Sequence, residues 1–166
     1  MVEVLIKKYN KRYRDNIKFE DVTEYDIHKF LKPKCKNIFK KFCTKRLFKN
    51  LEIKQSAKFI IQELMEDGDD VYFLSAGHGL TMGYRDAWLS KHINNFTSKQ
   101  LVMCRDKHLF KCDVLIDDWQ ENLIKMPNSC MKILFTQPWN VNFNAEGNGM
   151  IRVNDWLEIY ELLRKN

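Results

Sequence analysis

The sequence predicts an α/β fold, a doubly wound parallel sheet, on three observations. Short apolar runs bounded by charge stand at 101–104 and 114–116, as strands buried on both faces do, and further strand patterns follow at 71–75, 131–135 and 151–153. Stretches with apolar residues three and four apart, the helical period, precede, separate and follow these runs. From residue 56 the predicted order is α-β-α-β-β-β-β-α with mostly short connections, which is the pattern of a sheet covered by helices.

Taken in order, residues 2–14 place Val2, Leu5, Ile6, Tyr9 and Tyr13 on one helical face, although Val2 to Ile6 also reads as a short strand. Asp15-Asn16 breaks that helix. The stretch from Asp21 to Thr23 offers a cap for a short helix through Phe30, which Lys32-Pro33 ends. One or two further short helices are expected over 37–48. Ser56 is the expected cap of a strong helix carrying Phe59, Ile60, Ile61, Leu64 and Met65, closed by Gly68. The strand at 71–75 runs into a loop of small residues, Ala76-Gly77-His78-Gly79. A helix over 83–95 turns Trp88, Leu89 and Ile93 inward. The strand at 131–135 leaves through Gln137-Pro138-Trp139-Asn140, and Asn154 is the expected cap of a last helix over 156–164. No internal repeat or low-complexity segment is present.

A chain of 166 residues is long enough for one domain with a sizeable core. It has no apolar run of the roughly 18 residues a membrane helix needs, so a membrane partner is not expected. The start, with charge on both sides of a very short apolar run, does not read as a signal peptide. Five cysteines, an odd count without a C-x-x-C pair, point to free thiols and a reducing, cytoplasmic setting. The net charge of +6 is uneven: residues 1–58 carry 17 Lys/Arg against 7 Asp/Glu, and the remainder is acidic. Over 27–51 nine basic residues occur with no acidic one, interleaved with phenylalanines. Such a patch is the solvated face of amphipathic helices, a surface for nucleic acid phosphates, or a lid that attracts a small phosphorylated ligand.

The candidate chemistry lies at strand ends, where open α/β sheets bind ligands. Ser75 ends the first strand, as a phosphate donor or as a turn residue. Arg105 and Lys107 follow the second, and Asp117-Asp118 ends the third. A carboxylate pair closing an apolar strand needs a cation or metal to offset its burial. Carboxylates holding magnesium beside a lysine that neutralises phosphate make up a phosphoryl-transfer site. His78, His92 and His108 have no metal-ligand spacing with the cysteines and are read as non-catalytic.

Six segments then come in order: Asp70-Val-Tyr-Phe-Leu-Ser75, Tyr84-Arg-Asp-Ala-Trp-Leu89, Arg105-Asp-Lys107, Asp113-Val-Leu-Ile-Asp-Asp118, Phe135-Thr-Gln-Pro-Trp-Asn140 and Arg152-Val-Asn-Asp-Trp156. Together they resemble the haloacid-dehalogenase superfamily, specifically its 5′(3′)-deoxyribonucleotidase branch. The segments from Tyr9-Asn10 through Asp15-Asn16 to Thr23-Glu-Tyr-Asp26 resemble that branch's first helix and the start of its helical cap. The resemblance implies an α/β core over 1–14 and 51–166 with a cap inserted at 15–50. It implies Ser75, Lys107 and Asp118 as catalytic residues, Asp117 and Asp118 as magnesium ligands, and Arg105, Ala76, Tyr25 and Arg85 as substrate contacts. Tyr25 stands near the position of an aromatic that packs on the nucleobase. Ala76 stands where some members have a second phosphate-binding hydroxyl, and Arg85 where they have a lysine.

The superfamily's first motif, Asp-x-Asp-Gly, supplies the nucleophilic aspartate on the first strand. Aligning Tyr9-Asn10 places that motif before Met1. The resemblance thus implies a first strand missing or replaced, beside the strand that ends at Ser75. Burying its roughly five apolar side chains would contribute on the order of 10 kcal/mol, comparable with a domain's whole net stability. Three outcomes are open: Val2 to Ile6 inserts as that strand, the sheet closes up, or a partner chain helps. The expected small-molecule partner is a nucleoside monophosphate, which a complete enzyme would hydrolyse through an aspartyl-phosphate; the chain as written is expected to be inactive. A non-catalytic nucleotide or phosphate binder is the alternative, nucleic acid is the less favoured partner, and a homodimer is open.

Overall fold

The computed structural model describes residues 1–32, 35, 37–77 and 79–164. Pro33, the expected helix stop, and His78 lie outside the described residues. Helix α1 is Val2–Tyr13, so the strand reading of its start is not realised. The reason is tertiary. The 3.6-residue period puts Leu5, Ile6 and Tyr9 on one face, and these pack fully buried against Val22, Ile27, Leu31, Ile38, Leu47 and Phe48. Arg14, in the left-handed conformation, ends the helix. The Tyr9 hydroxyl donates to Asp15 (2.8 Å) and accepts from the Lys32 amide (3.0 Å). The Asn10 side chain clasps the backbone of Ile17 in both directions.

Residues 15–50 form short pieces instead of one regular layer. Phe19–Asp21 and Ile27–Phe30 are single 3₁₀ turns. The second is capped by Asp26, which accepts from the His28 amide at 3.1 Å, whereas Asp21 of the expected cap accepts backwards from the Lys18 amide at 2.9 Å. Helices α2 (Ile38–Phe42) and α3 (Lys45–Lys49) follow, the latter capped by Thr44. Ile38, Leu47 and Phe48 face inward while Lys40, Lys41, Lys45, Arg46 and Lys49 are exposed. The basic stretch is therefore a solvated face over an apolar underside.

Helix α4 (Gln55–Glu66) buries Ala57, Ile60, Ile61 and Leu64. Ser56 lies inside its first turn, not at the cap, and Phe59 points to solvent at 60% exposure. Gly68, at φ +96°, reverses the chain after the helix, so that the Asp69 amide reaches back to the Leu64 carbonyl. Then come β1 (Phe73–Ser75), α5 (Met82–His92), β2 (Leu101–Met103), β3 (Val114–Asp117), α6 (Gln120–Ile124), β4 (Met131–Phe135), β5 (Ile151–Val153) and α7 (Trp156–Arg164). The short helix α6 was not expected from the sequence, because five residues are too few to show a helical period. Asp155, not Asn154, caps α7: its carboxylate accepts from the amides of Leu157 and Glu158, while Glu158 accepts from the Asn154 amide.

All strand pairs are parallel, and they form two pieces. β1 pairs with β2, Ser75 opposite Met103; β3 pairs with β4 and β4 with β5, placing Asp117 opposite Leu134 and Phe135 opposite Val153. The three-stranded piece is covered on both faces. Leu115 and Leu134 pack against Leu123 and Met126 on one side, while Ile133 and Val153 pack against Ile159 of α7 on the other. Each fully buried aliphatic side chain there contributes about 1.5–3 kcal/mol. On the two-stranded piece, Phe73 and Leu101 join Ile61, Leu89 and Ile93 of the α4–α5 layer, whereas Leu74 reaches the cluster of Leu115 and Leu134. β1 and β3 are not hydrogen-bonded to each other. Between them runs a trough of about 1270 Å³ that both strands line. Among the described residues neither Val2 to Ile6 nor a rearranged sheet fills it.

Candidate active site

Ser75, Lys107 and Asp117-Asp118 all line that trough, Ser75 as the last residue of β1 and Asp117 as the last residue of β3, the ends at which open α/β sheets place ligands. Asp117, the last residue of β3, has a side chain only 2% exposed. It accepts from Lys107 Nζ at 2.6 Å and Asn122 Nδ2 at 2.9 Å through one oxygen, and from the Trp119 amide at 3.0 Å through the other. A charge-assisted bond and two neutral donors offset the cost of burying this carboxylate. Lys107 reaches it from the 3₁₀ turn that follows β2.

Asp118 is less enclosed and carries less compensation. Burial first, and then the neighbouring Asp117 charge, push its carboxyl up to about 6, with Lys107 pulling the other way. Its carbonyl oxygen is held by Trp139 Nε1 (2.9 Å) and Asn140 Nδ2 (2.8 Å). Asn140 is 1% exposed and also donates to the Phe135 carbonyl, so one amide locks the exits of β3 and β4 together. Arg152 braces that lock through the Asn140 side chain and the carbonyls of Asn140 and Phe143.

The Ser75 hydroxyl accepts from the Gly77 amide at 3.3 Å. Arg85 of α5 lies against the same loop. A Cβ at Gly77 would come within 2.7 Å of its guanidinium, so glycine permits this approach. Burial lowers the guanidinium's pKa from its ordinary value, the Cys43 thiol acting in the opposite sense. Arg85 lines the trough with Ser75, Lys107 and the two aspartates, while Ala76 and Arg105 are exposed beside it. From the 15–50 segment, Tyr25 stacks on Trp119 with ring centres 4.3 Å apart and planes 9° apart. Burial and then the charges of Asp118 and Asp117 push the Tyr25 hydroxyl up to about 12. Trp139 meets Tyr25 and Phe19 edge-on, giving an aromatic cluster beside the carboxylates.

Sequence reasoning passed over Asn122, Trp119 and the roles of Trp139 and Asn140. The exit loop Gln137-Pro138-Trp139-Asn140 was visible as a motif. Asn122, five residues after Asp117 on an unpredicted helix, gave no signal. His92 and His108 lie outside the trough's lining.

Among the described residues no cluster of three or more His, Cys, Asp or Glu could by itself hold a metal. The donor set still suits a hard cation that keeps water and takes one or two carboxylates together with phosphate. Of the two carboxylates, Asp117 is held by Lys107, while Asp118, pushed up by burial and the Asp117 charge, is the one with the weaker compensation.

Known proteins place the chain further. The family described as "5' nucleotidase, deoxy (Pyrimidine), cytosolic type C protein" matches residues 1–166. A 5'(3')-deoxyribonucleotidase of Clostridium acetobutylicum is 29% identical over 154 residues, covering 92% of this chain and 82% of the relative. Proteins of the same name from Bacillus subtilis and Bacillus phage SPbeta are each 30% identical over 145 residues, covering 86% of this chain and 79% of the relative.

Proposed function

The chain belongs to the 5′-nucleotidase family of the cytosolic type C, a branch of the haloacid-dehalogenase superfamily, and we propose that its site takes 5′- or 3′-deoxyribonucleoside monophosphates. The carrying observation is that Ser75, Asp117 and Asp118 at strand ends and Lys107, bonded to Asp117, line the same trough. Ser75 donates its hydroxyl to a phosphoryl oxygen. Lys107, anchored by Asp117, presents positive charge to the phosphate, and Arg105 adds a second cation from the exposed turn. Arg85 steadies the Ser75–Gly77 loop. Tyr25, already stacked on Trp119, offers an aromatic surface to the base.

Family membership implies a divalent metal, and magnesium is the ion proposed, held by Asp118 with Asp117 behind it. When bound it supplies charge neutralisation to the phosphoryl group. These side chains bind and orient phosphate. Cleavage through an aspartyl-phosphate requires a carboxylate nucleophile. Among the described residues that line the trough at or just after a strand's carboxyl end, the carboxylates are Asp117 and Asp118; the first is held by Lys107, and the second is the proposed metal ligand. This 166-residue chain is therefore expected to bind deoxynucleotide without turning it over. The family's cytosolic type supports work in the cytoplasm.

Titration calorimetry with dUMP, dTMP and dGMP in magnesium buffer tests the reading. Binding is expected, and Lys107→Ala should weaken it by about tenfold or more, the ~1.4 kcal/mol of a lost charge-assisted bond. Binding of none of the three would refute the nucleotide site. Robust phosphate release by this chain would refute the assignment of Asp117 and Asp118 to supporting roles.

A further inference from the structure

The five cysteines are free thiols, and two of them touch. The sulfurs of Cys112 and Cys130 lie 3.9 Å apart. Among the described residues no other pair of cysteine sulfurs is in such contact, and Cys104 Sγ is engaged by the Asp106 carbonyl. The pair sits where two neighbouring strands begin. Cys112 stands two residues before β3 and Cys130 immediately before β4, and the parallel ladder that sets Val114 opposite Met131 holds these starts side by side. The Met131 amide, bonded to the Asp113 carbonyl at 2.7 Å, ties together the residues next to the two cysteines.

Their surroundings differ. Cys130 is buried in the layer of Leu115, Leu123 and Met126. Cys112 packs against the same layer but is only half-buried, and it lines the trough. A reagent entering from solvent therefore meets Cys112 first, with Cys130 fixed beside it. Burial, and then Cys130, push the Cys112 thiol up to about 12. It keeps its proton at neutral pH, so the first exchange is slow. The second is intramolecular, between groups already in contact. Closing the pair to a bond of about 2.05 Å requires the sulfurs to approach by about 1.9 Å, a movement of the size that side-chain rotation gives.

We propose that Cys112 and Cys130 form a modification site, a dithiol that small-molecule disulfides such as oxidised glutathione convert to an intramolecular disulfide. The Cys112 sulfur gives up its proton and attacks one sulfur of the reagent; one glutathione leaves and takes up a proton, and a mixed disulfide remains on Cys112. The Cys130 sulfur gives up its proton, attacks the Cys112 sulfur and expels the second glutathione as its thiol. The two protein thiols are oxidised, the reagent's disulfide is reduced to two thiols, and an excess of reduced thiol reverses both steps. In a reducing setting the bond is transient, formed under oxidation and removed after it. The loop it closes contains Asp117, Asp118 and Asn122, so it staples the start of the strand that carries the two carboxylates to its neighbour.

The test treats the intact chain, without nucleotide, with oxidised glutathione, so its result is separate from that of the nucleotide titration. After an acid quench, non-reducing peptide mapping by mass spectrometry locates the bonds, and thermal unfolding reads their effect. The expected product is a peptide pair joined through Cys112 and Cys130 with no glutathione retained on either. The unfolding midpoint should rise by about 5–10 °C, because the closed loop restricts the unfolded chain. Dithiothreitol should reverse both changes. In Cys130→Ala glutathione should stay on Cys112, in Cys112→Ala the Cys130 thiol should remain free, and neither midpoint should rise. A wild-type chain that keeps glutathione on Cys112, joins Cys112 to another cysteine, or leaves both thiols free after prolonged exposure would overturn the proposal. So would a joined chain whose midpoint does not rise. Should either variant fail to fold, the wild-type map and its reversal decide by themselves.

Discussion

Replacing Lys107 with methionine removes one charge while keeping most of the side chain's length, so the loss can be worked from the surroundings of Asp117. That carboxylate is 2% exposed and has three donors, of which Lys107 at 2.6 Å is the shortest and the charged one. Breaking a buried pair by removing one partner costs about 3–5 kcal/mol. The donors that remain, Asn122 and the Trp119 amide, hold the figure near the lower end, about 3 kcal/mol. The loss also depends on pH. Lys107 pulls the Asp118 carboxyl down, so its removal moves that carboxyl further above 6. A carboxyl whose folded value is raised binds its proton more tightly in the folded state, so stability falls as pH rises through the window between the unfolded and folded values. The deficit of Lys107→Met should therefore be largest near pH 8 and smaller near pH 5, where Asp118 already holds a proton. Urea unfolding at the two pH values, with metal chelated, measures it. The double variant Lys107→Met/Asp117→Asn should recover more than half of the loss, because the buried charge is gone. A single-variant loss below about 0.5 kcal/mol, the range of ordinary surface changes, would refute the reasoning. So would a double variant no more stable than the single one.

Asp118→Asn should stabilise the metal-free chain by about 1–2 kcal/mol at pH 8 and by nothing near pH 4, because the ionised form is what burial and Asp117 oppose; urea midpoints across that range read it. Asn140→Ala removes a fully buried amide that ties Asp118 to Phe135 and should cost about 2–4 kcal/mol, measured the same way. Tyr25→Ala loses the ring stacked on Trp119, for about 1 kcal/mol of stability and a shift in tryptophan emission as that indole becomes wetter. Leu134→Ala, at a position with no exposure in the cluster of Leu115, Leu123 and Met126, should cost about 2–5 kcal/mol by thermal or urea unfolding.

How much the residues announced depended on how local their cause was. Most strand segments were legible because a strand buried on both faces shows as a short apolar run, as at 101–103 and 114–116, while β4 and β5 each carry one cation, Lys132 and Arg152, inside the run. The residues proposed for the site, Ser75, Lys107, Asp117 and Asp118, stood out as polar groups placed at or just after a strand's end. Caps were read less well. Ser56 and Asn154 have the right chemistry, but Lys54 precedes the first helical residue of α4 and the Asp155 carboxylate reaches the α7 amides, a difference of one or two residues that packing decides. Asn140 was invisible as a partner of Asp118 because that bond joins residues 22 apart in the chain, and Asn122 because the helix that carries it, five residues long, is too short to show a period.

The sequence by itself determined the kind of fold, the helical and strand periods, the basic character of 27–51 and the placing of the proposed phosphate-binding side chains near strand ends. Those follow from residue-by-residue solvation and backbone geometry, which act over one or two turns of chain. Only the tertiary structure decided that Val2–Ile6 is helix and not strand, because Leu5 and Tyr9 find a closed apolar partner layer in residues 22–48. It alone showed that Lys107 is held by Asp117. It alone left the sheet in two pieces with facing edges. No local signal encodes an empty space, since a gap is a relation between strands that lie some forty residues apart in the chain.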